Sequence, residues 1–137
     1  MMCDNLNERI DKWFEQRHGD IIAALSGLVA IPSVLGKAEE GMPYGKNSFA
    51  ALKKAGELLE GFGFETKYYD NCALSADLNG KEPLLAMLAH VDVVPEGDGW
   101  ETDPFTLIEK GGCFYGRGTS DDKGPAVAAM FAMAAAK

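Results

Sequence analysis

The chain is poor in cysteine, histidine and basic residues, and each shortage narrows what it can do. Its three cysteines, Cys3, Cys72 and Cys113, lie far apart in 137 residues and form no Cys-x-x-Cys pair. Neither a zinc knuckle nor a redox couple is therefore encoded, and the thiols read as reduced and structural. Any metal chemistry falls to oxygen and imidazole, and there are only two histidines. Lysine and arginine number 13 against 21 acids, a net charge of −8. Such a surface repels phosphate backbones and anionic lipid, so neither nucleic acid nor a membrane is an expected partner. The longest apolar windows, residues 21–31 and 126–136, fall short of the roughly 20 residues a membrane span needs. The opening "MMCDNLNERIDKWFEQ" carries acids and no early apolar segment, unlike a secretory signal, and a cytoplasmic protein is expected.

What is present suffices for one globular domain: 47% of the residues are hydrophobic, enough for a real core at this length. Apolar residues at helical spacing run through Leu6, Ile10, Trp13 and Phe14, then Ile21, Ile22, Leu25, Leu28 and Val29. They predict two helices, with His18 in the last turn of the first, Gly19 at its end and Asp20 capping the second. A loop follows over 33–47. Residues 48–63 predict an amphipathic helix capped by Ser48 and ended by Gly61 or Gly63. Three strands are expected at 64–70, 73–79 and 84–91. The first two alternate apolar with polar; the third, "LLAMLAHV", is apolar on both faces, as a central strand covered by helices would be. A hairpin over 105–116 turns at Gly111-Gly112. A last helix begins at Pro125, apolar nearly all round and so expected to be buried.

The chemistry concentrates at two places. His90 and Asp92 are two apart in extended chain, so their side chains project to one side at the end of the apolar run. An imidazole there can ligate a metal through one nitrogen while a carboxylate accepts from the other. A core histidine satisfied by backbone is the plain alternative. In "YGRGTSDDKGP" (115–125), glycines permit a tight turn and the adjacent carboxylates Asp121 and Asp122 repel unless a cation, a helix N-terminus or water relieves them. A solvated capping pair is the alternative there. No phosphate loop, dinucleotide fingerprint or nucleophile elbow fits this run. A serine hydrolase built from Ser120, His90 and Asp92 would need Ser120 within hydrogen-bond reach of His90. Between the two clusters, "VVPEGDGWETDPF" is irregular, and Trp100 and Phe105 are expected to pin it by burial.

Taken together, "HVDVVP", "GW..DPF" and "YGRGTSDDKGP" at this spacing resemble the paired signatures of the di-zinc peptidases that include aminoacylase, glutamate carboxypeptidase, succinyl-diaminopimelate desuccinylase and carnosinase. "IPSV" and residues 42–71 are similar to the bacterial dipeptidase V, or Xaa-His dipeptidase, branch. The resemblance covers nearly the whole chain. It implies a three-layer α/β/α zinc-peptidase fold with a mixed sheet, incomplete at the C-terminus. It also implies two zinc ions, with cobalt or manganese as alternatives, and a small peptide substrate. By matching, His90 would ligate one zinc and Asp121 would bridge both, while Asp92 would serve catalysis by orienting His90. Asp121-Asp122 would be a candidate cis peptide.

The family's catalytic glutamate, its other acidic ligands and its second zinc histidine would lie beyond Lys137. Residues 1–137 are therefore expected to be the N-terminal part of the catalytic domain, without the rest of that domain or the lid and dimerisation domain. The 137-residue chain is expected to bind zinc weakly and hydrolyse nothing, the full-length protein being a metallo-dipeptidase. An N-acyl-amino-acid deacylase or desuccinylase, and a non-catalytic module that kept the fold, are the rival readings.

Overall fold

The structure is a computed structural model that describes residues 2–83 and 85–137, with side chains from Asn5 onward. Its elements are α1 (Met2–Glu15), α2 (His18–Val29), α3 (Lys46–Gly61), β1 (Thr66–Tyr69), β2 (Ala73–Ala76), β3 (Ile108–Lys110), β4 (Cys113–Tyr115) and α4 (Lys123–Ala135).

The two leading helices form as their periodicity predicts, but the break between them falls earlier. His18 opens α2 rather than closing α1, and Arg17 takes the N-cap position with no side-chain cap. The Arg17 guanidinium lies 4.1 Å from the Trp13 ring centroid and donates to the Trp13 carbonyl. That stacking turns the chain, so Gly19 is left inside the first turn of α2 and Asp20 is not a cap. In α3 Ser48 is likewise internal. The N-cap is Gly45, at φ 87°, where a Cβ would sit 2.8 Å from the Gly36 backbone. At the other end the chain makes a Schellman turn: Gly63 N–H donates to the Glu60 carbonyl and Phe64 N–H to the Leu59 carbonyl. Gly63 supplies the left-handed position at φ 80°, and Leu59 and Phe64 are both buried beside it.

The core lies between α2 and α4, where Ala24, Leu25, Leu28 and Val29 meet Val127 and Phe131. Phe131 meets Trp13 and Phe62 edge-on, at centroid distances of 6.4 and 4.8 Å. One face of α4 takes part. Ala128 and Ala132 are exposed while Ala129, Met130 and Met133 are half-buried, so the expectation of a helix buried all round is corrected. The helix also begins two residues before Pro125, with Asp122 as N-cap. Pro125 is still within the first turn, where no N–H is needed.

β1 and β2 pair antiparallel with Thr66 opposite Ala76 and alternate in burial as the sequence predicts. Tyr68 packs over α3 so closely that a Cβ on Gly56 would overlap its hydroxyl. The hairpin β3–β4 turns at Gly111 and Gly112, at φ 62° and 76°. These are two separate two-stranded ribbons.

The expected central strand is not formed. Leu84 lies outside the described residues, and 85–91 forms no ladder. Leu85 is 78% exposed and Leu88 fully so. Backbone groups of a strand are satisfied only by neighbouring strands, and none of the four described strands lies beside this segment in a ladder. Its apolar side chains instead border an open groove of about 700 Å³, whose other walls include Leu52 and Leu59 of α3 and Met130 of α4. Among the described residues no helix is long and apolar enough to cross a membrane.

The Gly63 turn yields a paired expectation. Gly63→Ala should lower unfolding free energy by about 1–2 kcal/mol, the cost of a Cβ in the left-handed region. Gly61→Ala, a helical position with nothing near its missing Cβ, should raise it by about 0.5 kcal/mol. Urea denaturation of the two variants checks both signs.

Candidate active site

The two chemistry-bearing segments converge. The His90 Nε2 lies 3.0 Å from Asp121 Oδ1 across 31 residues of sequence. On its other side, Nδ1 lies 3.2 Å from Asp92 Oδ1 and 3.2 Å from the Asp92 carbonyl oxygen. The ring is thus held between two carboxylates, one from the end of the apolar run and one from the turn before α4. Asp122 completes the grip, its Oδ2 accepting the His90 backbone N–H at 3.0 Å. This bond explains why Asp122 caps α4 with no side-chain hydrogen bond of its own: the carboxylate is engaged elsewhere. The Asp121-Asp122 peptide is cis, as the resemblance implies.

The ring is half-exposed, and Asp92 and Asp121 more so. Burial is the largest single influence on the His90 pKa and lowers it, but the hydrogen bond and charge of Asp92, the hydrogen bond of Asp121 and the charge of Asp122 together outweigh it and raise it above 6.5. Both ring nitrogens face acceptors, an arrangement that suits the doubly protonated ring. His90, Asp92 and Asp121 open onto a polar recess of about 180 Å³ that Arg117 and Ser120 also line. Ser120 makes no hydrogen bond to His90; Asp121 takes that nitrogen instead. A serine-based arrangement is therefore not assembled. The second histidine, His18, is exposed at the start of α2 and has no part here.

The recess wall between the clusters is pinned differently from expectation. Trp100 is 36% exposed, and its indole N–H donates to the Glu96 carbonyl at 2.8 Å. Arg117 donates to the same carbonyl with its guanidinium 5.3 Å from the Trp100 ring centroid. Asp103 closes the following turn on Phe105 N–H and Thr106 Oγ1, bonds that hold its carboxyl below the usual range. For Trp100, hydrogen bonds and a cation–π contact do what burial was expected to do, while Phe105 is half-buried, in line with the expectation.

Two site-supporting residues carry no role in the sequence reading. Lys123 is fully buried, and its Nζ donates to the carbonyls of Leu28 at 2.8 Å and Ile31 at 2.7 Å. Burial pushes its pKa down to about 8 against the pull of Asp92. Ser33 is also fully buried, with Oγ donating to the Val91 carbonyl at 2.6 Å and its own carbonyl accepting from Val93 N–H. The available signal was Lys123 itself, since a cation in the first turn of an apolar helix opposes the dipole and calls for another partner.

With this geometry in view, comparison with known proteins is direct. Residues 86–137 match the family model for Peptidase family M20/M25/M40. A protein of Staphylococcus haemolyticus named as a "Putative dipeptidase" is 39% identical over 121 residues, covering 87% of this chain and 26% of that protein. The "Putative dipeptidase YtjP" of Bacillus subtilis is 40% identical over 116 residues, covering 83% of this chain and 25% of that protein. The crystal structure of human carnosine dipeptidase 1 superposes with a TM-score of 0.70 at 25% identity, over 93% of this chain and 30% of that one. The chain thus spans about a quarter of the length of the curated relatives it matches. By family model, sequence and fold it resembles the M20-type peptidases, as the paired motifs imply. The α/β fold class holds, in the form of helices with small antiparallel ribbons.

A raised histidine pKa has a defined sign. Protonation of His90 is favoured in the folded chain, so its stabilising contribution is complete below the unfolded value near 6.5 and is lost as pH rises through the higher folded value. An NMR titration of the metal-free chain should place the His90 midpoint above 6.5, and Asp92→Asn should bring it down. A wild-type midpoint below 6.5 would contradict the two-carboxylate arrangement.

Proposed function

We propose that the chain contributes one side of a two-metal peptidase centre, with His90 and Asp121 as metal ligands and Asp92 orienting His90, and that the intact protein hydrolyses dipeptides. The observation that carries this reading is the approach of His90 Nε2 to Asp121 Oδ1 at 3.0 Å. Two ligands of one tetrahedral zinc, each about 2.0–2.1 Å from the ion, stand about 3.3 Å apart, so these donors suit a shared cation. The relatives named as dipeptidases support a small peptide as the substrate.

The donor chemistry is right for zinc, which accepts imidazole nitrogen and carboxylate oxygen. Among the described residues, however, no group of three or more His, Cys, Asp or Glu is disposed to hold a metal. A catalytic zinc takes three protein ligands and a water, so this chain alone is a weak binder and carries out no hydrolysis. In this reading residues 1–137 form part of a catalytic domain whose further ligands and general base the longer protein supplies. A zinc pair, when bound, supplies a water activated at neutral pH and polarises the scissile carbonyl.

The chain's own residues contribute position and proton control. Asp92 accepts from Nδ1 and so orients the ring with Nε2 toward Asp121, raising the basicity of Nε2 as a ligand. Asp122 holds the His90 backbone. In the absence of metal a proton on Nε2 bridges to Asp121, and that proton must leave when a cation takes the same two atoms. Metal affinity is therefore expected to fall as pH drops through the raised His90 pKa.

Zinc titrated against a chromophoric chelator checks this. His90→Ala and Asp121→Asn should reduce binding to background, and Asp92→Asn should weaken it about 10–100-fold. Binding that survives His90→Ala unchanged would remove the ligand assignment. For the longer protein, dipeptide hydrolysis should vanish on exhaustive chelation and return with zinc. Turnover undiminished by chelation would sink the metallopeptidase reading.

A further inference from the structure

The two halves of the site belong to distant stretches of chain, yet both are tied to the same four-residue turn after α2. Lys123, the second residue after Asp121, reaches into the protein and donates to the Leu28 and Ile31 carbonyls. Ser33, two residues past Ile31, bonds both sides of Asp92 through the Val91 carbonyl and the Val93 N–H. Neither polar side chain has any exposed surface. The Lys123 stem fits because Gly118, at φ 90°, has no Cβ; one there would meet Lys123 Cδ at 2.9 Å and Val93 Cγ1 at 3.0 Å. Asn47 braces the turn further by donating to the Pro32 carbonyl.

The chemistry makes this turn a rigid choice. The last carbonyls of a helix have no intrahelical partner, and an ammonium is the donor best matched to them by the dipole. A buried cation that lost them would be left uncompensated, so Lys123 cannot slide to another partner at small cost. Of the two Ser33 bonds, the one from Oγ to the Val91 carbonyl is lost on apolar replacement and leaves that carbonyl without its side-chain donor, while the backbone bond from Val93 N–H remains.

We propose that Lys123 and Ser33 are positioning residues, which together set the separation of His90 from Asp121 by fastening both half-sites to the 31–34 turn. This rests on the reading of His90 and Asp121 as metal ligands. Residues with this role differ from ordinary core residues in one testable respect. Their loss should disturb the approach of the two half-sites more than it disturbs the α2–α4 core.

The test uses the full 137-residue chain, isotopically labelled, as wild type, Lys123→Met, Ser33→Ala and the core control Val127→Ala. Two quantities are read: amide exchange of His90, whose N–H is held by Asp122, compared with that of Leu25 and Val127, and affinity for cobalt(II). In Ser33→Ala and Lys123→Met the His90 amide should exchange about tenfold faster relative to the core amides, and cobalt affinity should fall about tenfold. Val127→Ala should lower global stability while leaving relative His90 exchange and cobalt affinity within about twofold. If Lys123→Met fails to fold, Ser33→Ala decides. Unchanged His90 exchange in a folded Ser33→Ala overturns the proposal, as does unfolding of both variants, which would make these core residues and nothing more. Wild-type chain that binds no cobalt, with His90 exchange still accelerated in the variants, overturns the metal reading and leaves the positioning role standing.

Discussion

The structure depends on how the chain leaves α2. The Leu28 and Ile31 carbonyls at the end of α2 and just past it each accept one local N–H, and a lysine some 90 residues later supplies each with a second donor. That bond fixes where α4 starts, and the α4 start carries Asp121 and Asp122. The next residues of the same turn fasten the segment that carries His90 and Asp92. Fold and site therefore share one anchor, and the hydrophobic cluster of α2 and α4 packs directly behind it.

Electrostatics at the site follow from this placement. Three carboxylates gathered around one imidazole would repel one another in the absence of a cation, and they raise the His90 pKa because a protonated ring relieves that repulsion. Exposure limits the strength of each pair, since solvent screens charges at such sites. Under the proposed reading, such an arrangement would exchange a proton for a metal and would need further ligands to hold it. On the far side of His90 and Asp92 the apolar groove left by the unpaired 85–91 run opens directly against the polar recess, so the ring stands at a boundary between an apolar and a charged surface.

Much of this was legible in the residues. The helices followed from 3.6-residue periodicity, the β1–β2 ribbon from alternation, and the β3–β4 turn from paired glycines, because each signal is local. The meeting of His90 with Asp121 was legible through the motif pair. The errors also share a cause. Ser48 and Asp20 have good capping chemistry, yet Gly45 and Arg17 hold those positions because a glycine–glycine approach and a stacked tryptophan were stronger. The run through 85–91 has strand composition, but a strand exists only where a partner lies alongside. Lys123 and Ser33 went unassigned because their partners are carbonyls, which no side-chain pattern reveals.

By itself the sequence determined where the helices run, apart from their ends, which turns require glycine, and which imidazole and carboxylates are the candidate site residues, since these depend on neighbours a few positions away or on residue type alone. Tertiary structure alone decided that Asp92 and Asp121 take opposite nitrogens of one ring, that Asp122 holds the His90 backbone, and that a buried lysine ties the start of α4 to the end of α2. Those outcomes depend on where the end of one helix meets the start of another, and that meeting is a product of packing between segments distant in sequence.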